Sequence, residues 1–473
     1  MEKQSETNSP YKDKTIPAIL KLMKAKDDTT RLVGLGALRS LLDNEPELQR
    51  DNKTLAFLWD AVSHKFLDRL LRTKDPYSRD IAVNVIRAFA QLLPNPKPDS
   101  LLRRLPNLVQ AMVPSSEESM TAILQTLVAF VNSPEGNKAF LELDDWTPLI
   151  ENAPNQDLVH LVFTLSWLSV PQGHQTAVRG KIDEALSGLV AAFKGQDAIP
   201  LMERLGQTLG LLPRDCVPQD PSWLKPLVQF IHDAAFNKRI TPEGRHAYTC
   251  CATALLMTYG ERTCSMLFTR EKYLFISLVL VDIRASMPSL LSKRGTPGYE
   301  PASSRVTFDL VIMSEFIKYL LDQADKDEPI FQLSADQVLE FRKSAMETLY
   351  NVVEYLGDYW DAIEAERAGG SEVSSASRIK GEIAPEDGKM DTSFVVAALG
   401  VLSVWLPEDD STELREKVDA LPTDLFLELY QIPRYQDLVL NVIDLKVDDD
   451  GSPLATRRKA GSGSRTHEVI ADK

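Results

Sequence analysis

The chain has 473 residues, 44% of them hydrophobic and 26% charged, a mix that supplies both a core and a wetted surface. Lys and Arg number 53 against 68 Asp and Glu, a net charge of −15 that works against whole-molecule attraction to nucleic acid or anionic lipid, because phosphate binding needs cationic surplus. The four cysteines, Cys216, Cys250, Cys251 and Cys264, are too few and too unevenly placed for a disulfide framework, so reduced thiols and a cytoplasmic setting, with room for a nuclear pool, are expected.

The opening MEKQSETNSPYKDK is polar and of mixed charge, without the apolar stretch of a signal peptide, and residues 1–14 are expected to be disordered. Helical spacing then begins. Ile16, Ile19, Leu20 and Met23 fall on one face, as do Leu55, Leu58, Trp59 and Val62. Met120, Ile123, Leu124, Leu127, Val128 and Val131 make a broad stripe, and Leu158, Leu161, Val162, Leu165 and Leu168 another. Further stripes run through Ile182, Leu186, Leu189 and Phe193; through Phe308, Val311, Ile312, Phe316, Tyr319 and Leu320; and through Val338, Phe341, Ala345, Leu349, Val352 and Leu356. None of these segments alternates with period two.

Short breaks such as LLPNPKP (92–98), VPSSEES (113–119) and NSPEGN (132–137) separate the stripes, with proline to end one helix and Ser, Asp or Asn to cap the next. Apolar helices return in pairs about every 40 residues, the period of HEAT and armadillo repeats. A lone amphipathic pair cannot bury its apolar face, whereas stacked pairs share one elongated core. The fold expected is therefore all-α, an armadillo/HEAT-like α-solenoid in which helix pairs build a right-handed superhelix. The repeat domain is placed at 15–367, and AGGSEVSSASRIKGEIAPEDGKM (368–390) reads as a flexible loop. Residues 391–445 read as C-terminal helices packing on the same solenoid, and 446–473 as a disordered tail. The apolar runs at 273–281 and 394–406 fall short of the ~20 residues that cross a bilayer, so no transmembrane span is expected.

A search for chemistry finds none that the context supports. GLGALR (34–39) lacks the third glycine of a dinucleotide fingerprint and sits in a helical pattern, where packing explains it. The six histidines are scattered, Cys250 and Cys251 are adjacent and not a C-x-x-C pair, and VDDDGS (447–452) has Lys446 and Arg457 where a calcium loop needs acids. No catalytic, metal or cofactor-binding residue is assigned, and no enzymatic activity is expected. The one suggestive surface is FLDRLLRTKDPYSR (66–79), whose Arg69, Arg72, Lys74 and Arg79 could seat an acidic partner or a lipid head group. The plainer alternative is that they complement a helix C-terminus and pair with Asp68, Asp75 and Asp80. TRRKAGS (456–462) reads as a solvated basic spacer, with a weak nuclear signal or a phosphorylation target as the other options.

Five segments together resemble the neurochondrin family: LVGLGALRSLL (32–42), LWDAVSHKFLDRLLRTKD (58–75), SPEGNKAFLELDDWTPLIENA (133–153), LFISLVLVDIRASMPSLL (274–291) and FDLVIMSEFIKYLL (308–321). The order of these helical signatures carries the resemblance, over about residues 15 to 445. It implies an armadillo-like cytosolic protein without catalytic residues, linked in animals to neurite outgrowth and signalling. The function expected is a scaffold or adaptor for protein partners in signalling or trafficking, with peripheral membrane binding through the basic stretch as the alternative.

Overall fold

Several helix starts are written locally. Asp27, Asp51, Asp75, Ser116, Ser133 and Thr241 each accept a hydrogen bond from a backbone N–H three residues on, satisfying one of the free donors at a helix N-terminus. Proline occupies the first turn of many helices, where its missing N–H costs nothing. The computed structural model describes residues 15–445 apart from 114, 194–197, 269–272, 330, 332, 374–388 and 410. Among the described residues the chain is helical, with no strand. The expected ends at 1–14 and 446–473 lie outside the described residues, as does most of 368–390. Contacts divide the chain into two compact units, Met1–Leu201 with Leu211–Trp223 and Met202–Gly210 with Leu224–Lys473, a division that falls inside the stretch 15–367.

In the first unit, α1 (Ile16–Met23) packs on α2 (Asp28–Asn44), and the short α3 (Pro46–Gln49) leads to α4 (Asn52–Ala61). There follow α5 (His64–Leu71), α6 (Pro76–Leu92), α7 (Asp99–Leu102), α8 (Leu105–Ala111), α9 (Glu117–Val131), α10 (Pro134–Leu141), α11 (Thr147–Asn152), α12 (Asp157–Leu168) and α13 (Gln175–Ala192). Two layers result. In one, α2 lies on α6, α6 on α9 and α9 on α12; in the other, α5 lies on α8, α8 on α11 and α11 on α13. Helices thus meet their counterparts one repeat along, which is the helical-repeat arrangement.

Side chains tie the repeats at a regular interval. Trp59 Nε1 donates to Ser100 Oγ at 2.8 Å, 41 residues on; Arg87 donates to Gln125, 38 on; Lys181 donates to the Leu141 carbonyl, 40 back; and Trp223 Nε1 donates to Asp183, 40 back. The expected period of about 40 is therefore visible in hydrogen bonds as well as in hydrophobic spacing.

Gly34 explains the GLGALR motif. A Cβ there would lie 2.8 Å from the Met23 backbone nitrogen, so α1 and α2 pack backbone to backbone, whereas a Cβ on Gly36 would meet nothing within 4 Å. Gly34→Ala is expected to cost about 1–3 kcal/mol through overpacking. Gly36→Ala should gain up to about 1 kcal/mol from helix propensity. Urea unfolding of the two variants side by side checks the pair.

The second unit follows the same two-layer plan with longer rods. α14 (Ala198–Leu211) spans the division, and α15 (Leu224–Ala235), α16 (Pro242–Tyr259) and α17 (Glu261–Leu267) precede three long helices: α18 (Leu274–Lys293), α19 (Tyr299–Ala324) and α20 (Ala335–Val373). The last of these runs six residues into the stretch 368–390 read as loop. α21 (Thr392–Trp405), α22 (Thr412–Asp419), α23 (Thr423–Tyr430) and α24 (Gln436–Asp444) complete it. Here α16 lies on α19, α19 on α21 and α21 on α24, while α15 lies on α18, α18 on α20 and α20 on α22. The links lengthen with the rods: Arg245 to Asp282 spans 37 residues, but Arg284 to Ser344 spans 60.

α18 extends beyond the apolar run at 273–281. An 18-residue window of this 20-residue helix has a mean hydropathy of 1.7, enough to cross a membrane by length and composition only, and 44% of that window is buried inside the unit, so no transmembrane span is assigned. The sequence reading stopped the apolar run at residue 281, before Asp282, but the helix continues through Pro288 to Lys293.

Candidate functional site

Of the four cations in the basic stretch, Arg69, Arg72 and Lys74 are exposed and Arg79 is buried. Arg69, in the last turn of α5, reaches Asp28 at the start of α2, 2.6 Å away, and lies 5.2 Å from the Phe66 ring centroid. Arg72, the C-cap of α5, donates twice to Asn107 Oδ1 on α8, at 3.1 and 3.0 Å. Lys74 is exposed on the loop that follows. Arg79 is 1% exposed, turned into the buried side of α6 with Nη1 donating to the Thr73 carbonyl at 3.1 Å. The acids expected to pair with these cations are otherwise engaged: Asp68 faces Arg104 at 3.5 Å, and Asp80 accepts from Ser119 on α9. Asp75 caps α6, and the hydrogen bonds from Ser78 hold its carboxyl below the usual range, with Arg79 adding a smaller pull in the same direction. Arg69 and Arg72 thus also tie successive repeats, a use that sequence spacing alone could not separate from partner binding.

The second unit carries an apolar groove that the sequence did not mark. It encloses about 540 Å³ between the end of α19 (Ile317, Leu320, Leu321), the segment 325–334 (Pro329, Phe331, Leu333) and the first turns of α20 (Val338, Phe341), with Trp405 of α21 at one side. Phe331 and Phe341 are buried, yet Val338 is 47% exposed and its neighbour Leu339 66%. The stripe from Val338 to Leu356 is buried from Phe341 onward, but Val338 in its first turn is left open. Charged pairs flank the opening, Lys326 with Glu261 and Arg342 with Asp409 at 3.5 Å. A volume of this size lined by apolar side chains with a few charges at the edge falls in the range of ligand and peptide pockets.

Deeper in the same unit, three helices bring charges together. Asp282 of α18 faces Arg245 of α16 at 3.2 Å and Arg305 of α19 at 3.0 Å, and Arg305 also donates to Ser286 at 2.7 Å. Behind it Asp309 is 1% exposed. Neither Asp309 oxygen receives an N–H or neutral hydroxyl donor; its polar neighbour is the Asp282 carboxylate, a pairing that needs a proton on Asp309. Burial first, then the Asp282 charge, hold its carboxyl well above the usual range. Arg284, two residues from Asp282, bonds Ser344 and Thr348 on α20. Both polar members of the VDIR segment are thus inter-helix ties.

The titratable side chains that could do chemistry are mostly sequestered. Burial pushes the Cys250 and Cys264 thiols up to about 12 and Cys251 well above its ordinary value, which keeps them protonated and unreactive. His232 is buried with Nε2 at 3.0 Å from the Leu267 carbonyl, and burial lowers His64 and His246. Among the described residues no three His, Cys, Asp or Glu side chains converge as a set that could hold a metal ion.

These features define a helical-repeat protein, several of whose polar side chains join one repeat to the next. The chain belongs to the neurochondrin family, which its sequence matches over residues 11–436. It is 21% identical over 402 residues to an uncharacterized protein of Schizosaccharomyces pombe, a match covering 82% of this chain and 63% of the yeast protein, so the chain spans less than two thirds of that relative's length. Among solved structures, a crystal structure of an engineered protein aligns with a TM-score of 0.43 and 14% identity, covering 90% of this chain and 98% of that one.

Proposed function

We propose that this chain is a cytosolic scaffold that binds protein partners, with the apolar groove beside the start of α20 as a docking site. The observation that carries the reading is the uncovered first turn of α20, where Val338 stands exposed at a groove floored by Phe331 and Phe341. A buried side chain that stays open to solvent on one edge of a packed stripe gains apolar burial when a partner covers it, at roughly 25 cal/mol per Å². Helix-in-groove and anchor-residue docking both use such surfaces. The four free, buried cysteines fit a reducing compartment.

The test is proximity labelling from the full chain against Val338→Glu, a change at an exposed position that leaves the packed stripe in place. Specific partners should be labelled by the unmodified chain and lost from the variant. Identical labelled sets from the two would remove the groove, and a set no different from an unfused labelling enzyme would remove the scaffold reading itself.

A further inference from the structure

The first unit holds a second groove, independent of the one just described. It is a trough of about 640 Å³ between α7 and α8 on one side and α10 with the turn 142–145 on the other. Its floor is apolar and firmly packed: Leu102, Leu105, Val109 and Leu143 line it and are each under 9% exposed. Its rim is acidic, with five carboxylates (Asp99, Glu135, Glu142, Asp144 and Asp145) against two cations, Arg103 and Lys138. An apolar floor asks for an aliphatic side chain, and the rim selects what may flank it.

The rim is only partly neutralised from within. Lys138 meets Glu142 loosely, at 4.0 Å, with both side chains more than half exposed. Asp145 is fixed in place, accepting from the Thr147 backbone at 2.9 Å and from Gln110 at 3.1 Å. Glu135 and Glu142 stand seven residues apart on the α10 side, two helical turns or about 10 Å. An extended peptide covers that distance in about three residues. Carboxylates spread along a trough at this interval, over apolar ground, match a row of cationic side chains better than a single ion.

We infer that this trough binds a cationic peptide segment, an extended stretch with Lys or Arg about three residues apart around an aliphatic side chain that enters the floor. The cations meet the exposed rim carboxylates and the aliphatic group lies against Pro106 and Ala139, the more open apolar members of the lining. Attraction of this kind between exposed charges is screened by salt, so binding weakens as ionic strength rises.

The experiment is fluorescence anisotropy with the full chain and a labelled peptide of about ten residues carrying two Arg–Leu–Lys–Arg units, compared with one peptide whose cations are replaced by Gln and one whose Leu residues are replaced by Ser. The unmodified peptide should bind, both replacements should weaken binding, and the double variant Glu135→Lys/Glu142→Lys should weaken it about tenfold or more. As a control for net charge, Asp437→Lys on α24, exposed and in the other unit, should leave it unchanged. Matching circular dichroism spectra establish that the variants fold. The inference is overturned if the Gln peptide binds as tightly as the cationic one, if the Ser peptide does so, if Asp437→Lys weakens binding as much as the rim variant, or if no peptide binds. None of these results bears on the labelling experiment with Val338→Glu.

Discussion

Asp309→Asn should leave the unfolding midpoint of the second unit close to that of the unmodified chain near about pH 4 and raise it progressively toward about pH 8. A carboxyl whose folded pKa lies above its unfolded value contributes stability that is fully present below the unfolded pKa and is lost as pH rises through the folded one. Asp309 is in that class, because burial and the neighbouring Asp282 charge both oppose its ionisation. The unfolded chain releases the proton freely above its ordinary carboxylate range, so the folded state is held at a growing disadvantage of up to about 1.4 kcal/mol per pH unit. Asparagine keeps a donor for Asp282 and has nothing to titrate. The capping carboxylates Asp27 and Asp75 run the other way: backbone and side-chain donors lower them, so their contribution is present above the ordinary carboxylate range and lost as pH falls. Thermal unfolding of the full chain and the variant across this range separates the two signs. A midpoint difference that stays constant with pH would show that Asp309 is not the proton holder.

Phe316→Ala is expected to be among the most damaging single truncations, costing about 3–5 kcal/mol. Phe316 is 0% exposed and its ring lies 4.8 Å from Phe268, 5.0 Å from Phe341 and 6.2 Å from Phe331, all centroid to centroid. Removing it empties the point where α19, α20, the end of α17 and the segment before α20 meet. Two of its neighbours floor the groove, so the loss should reach the surface: amide exchange at 317–324 and 338–341 should quicken more than exchange in α16. Val338→Ala, on the open side of the same groove, should cost within about 0.5 kcal/mol, since little packing is lost there. Denaturant unfolding with exchange mass spectrometry measures both. Equal costs for the two changes would mean that the groove floor and its edge are packed alike.

The helices and their period could be read in advance because each is written in local spacing. Ile16, Ile19 and Met23 are buried together, as are Ile123, Leu124 and Leu127, and the 40-residue return reappears in bonds such as Trp59 to Ser100. Where a helix is apolar on several sides, spacing stops discriminating. The stripe read on α12 joined Leu161 and Leu168, which are 41% and 38% exposed, to Val162, while its core face is Val159, Val162, Phe163 and Trp167. The groove beside α20 was out of reach for a different reason: Val338 belongs to a well-formed stripe, and only its tertiary surroundings decide that its turn is left open. The charge cluster draws Arg245, Asp282, Arg305 and Asp309 from three helices, so its residues carry no shared spacing. The basic stretch at 66–79 was visible but its use was not, because Asp28 and Asn107, which engage Arg69 and Arg72, lie a repeat away on either side.

The ties spaced about one repeat apart have a mechanical corollary. Where the described ties join neighbouring repeats, bending or twisting within a unit is shared as small slips among many junctions. Such a body yields gradually to a load, and a guest that grips two adjacent rungs stiffens that place without freezing the remainder.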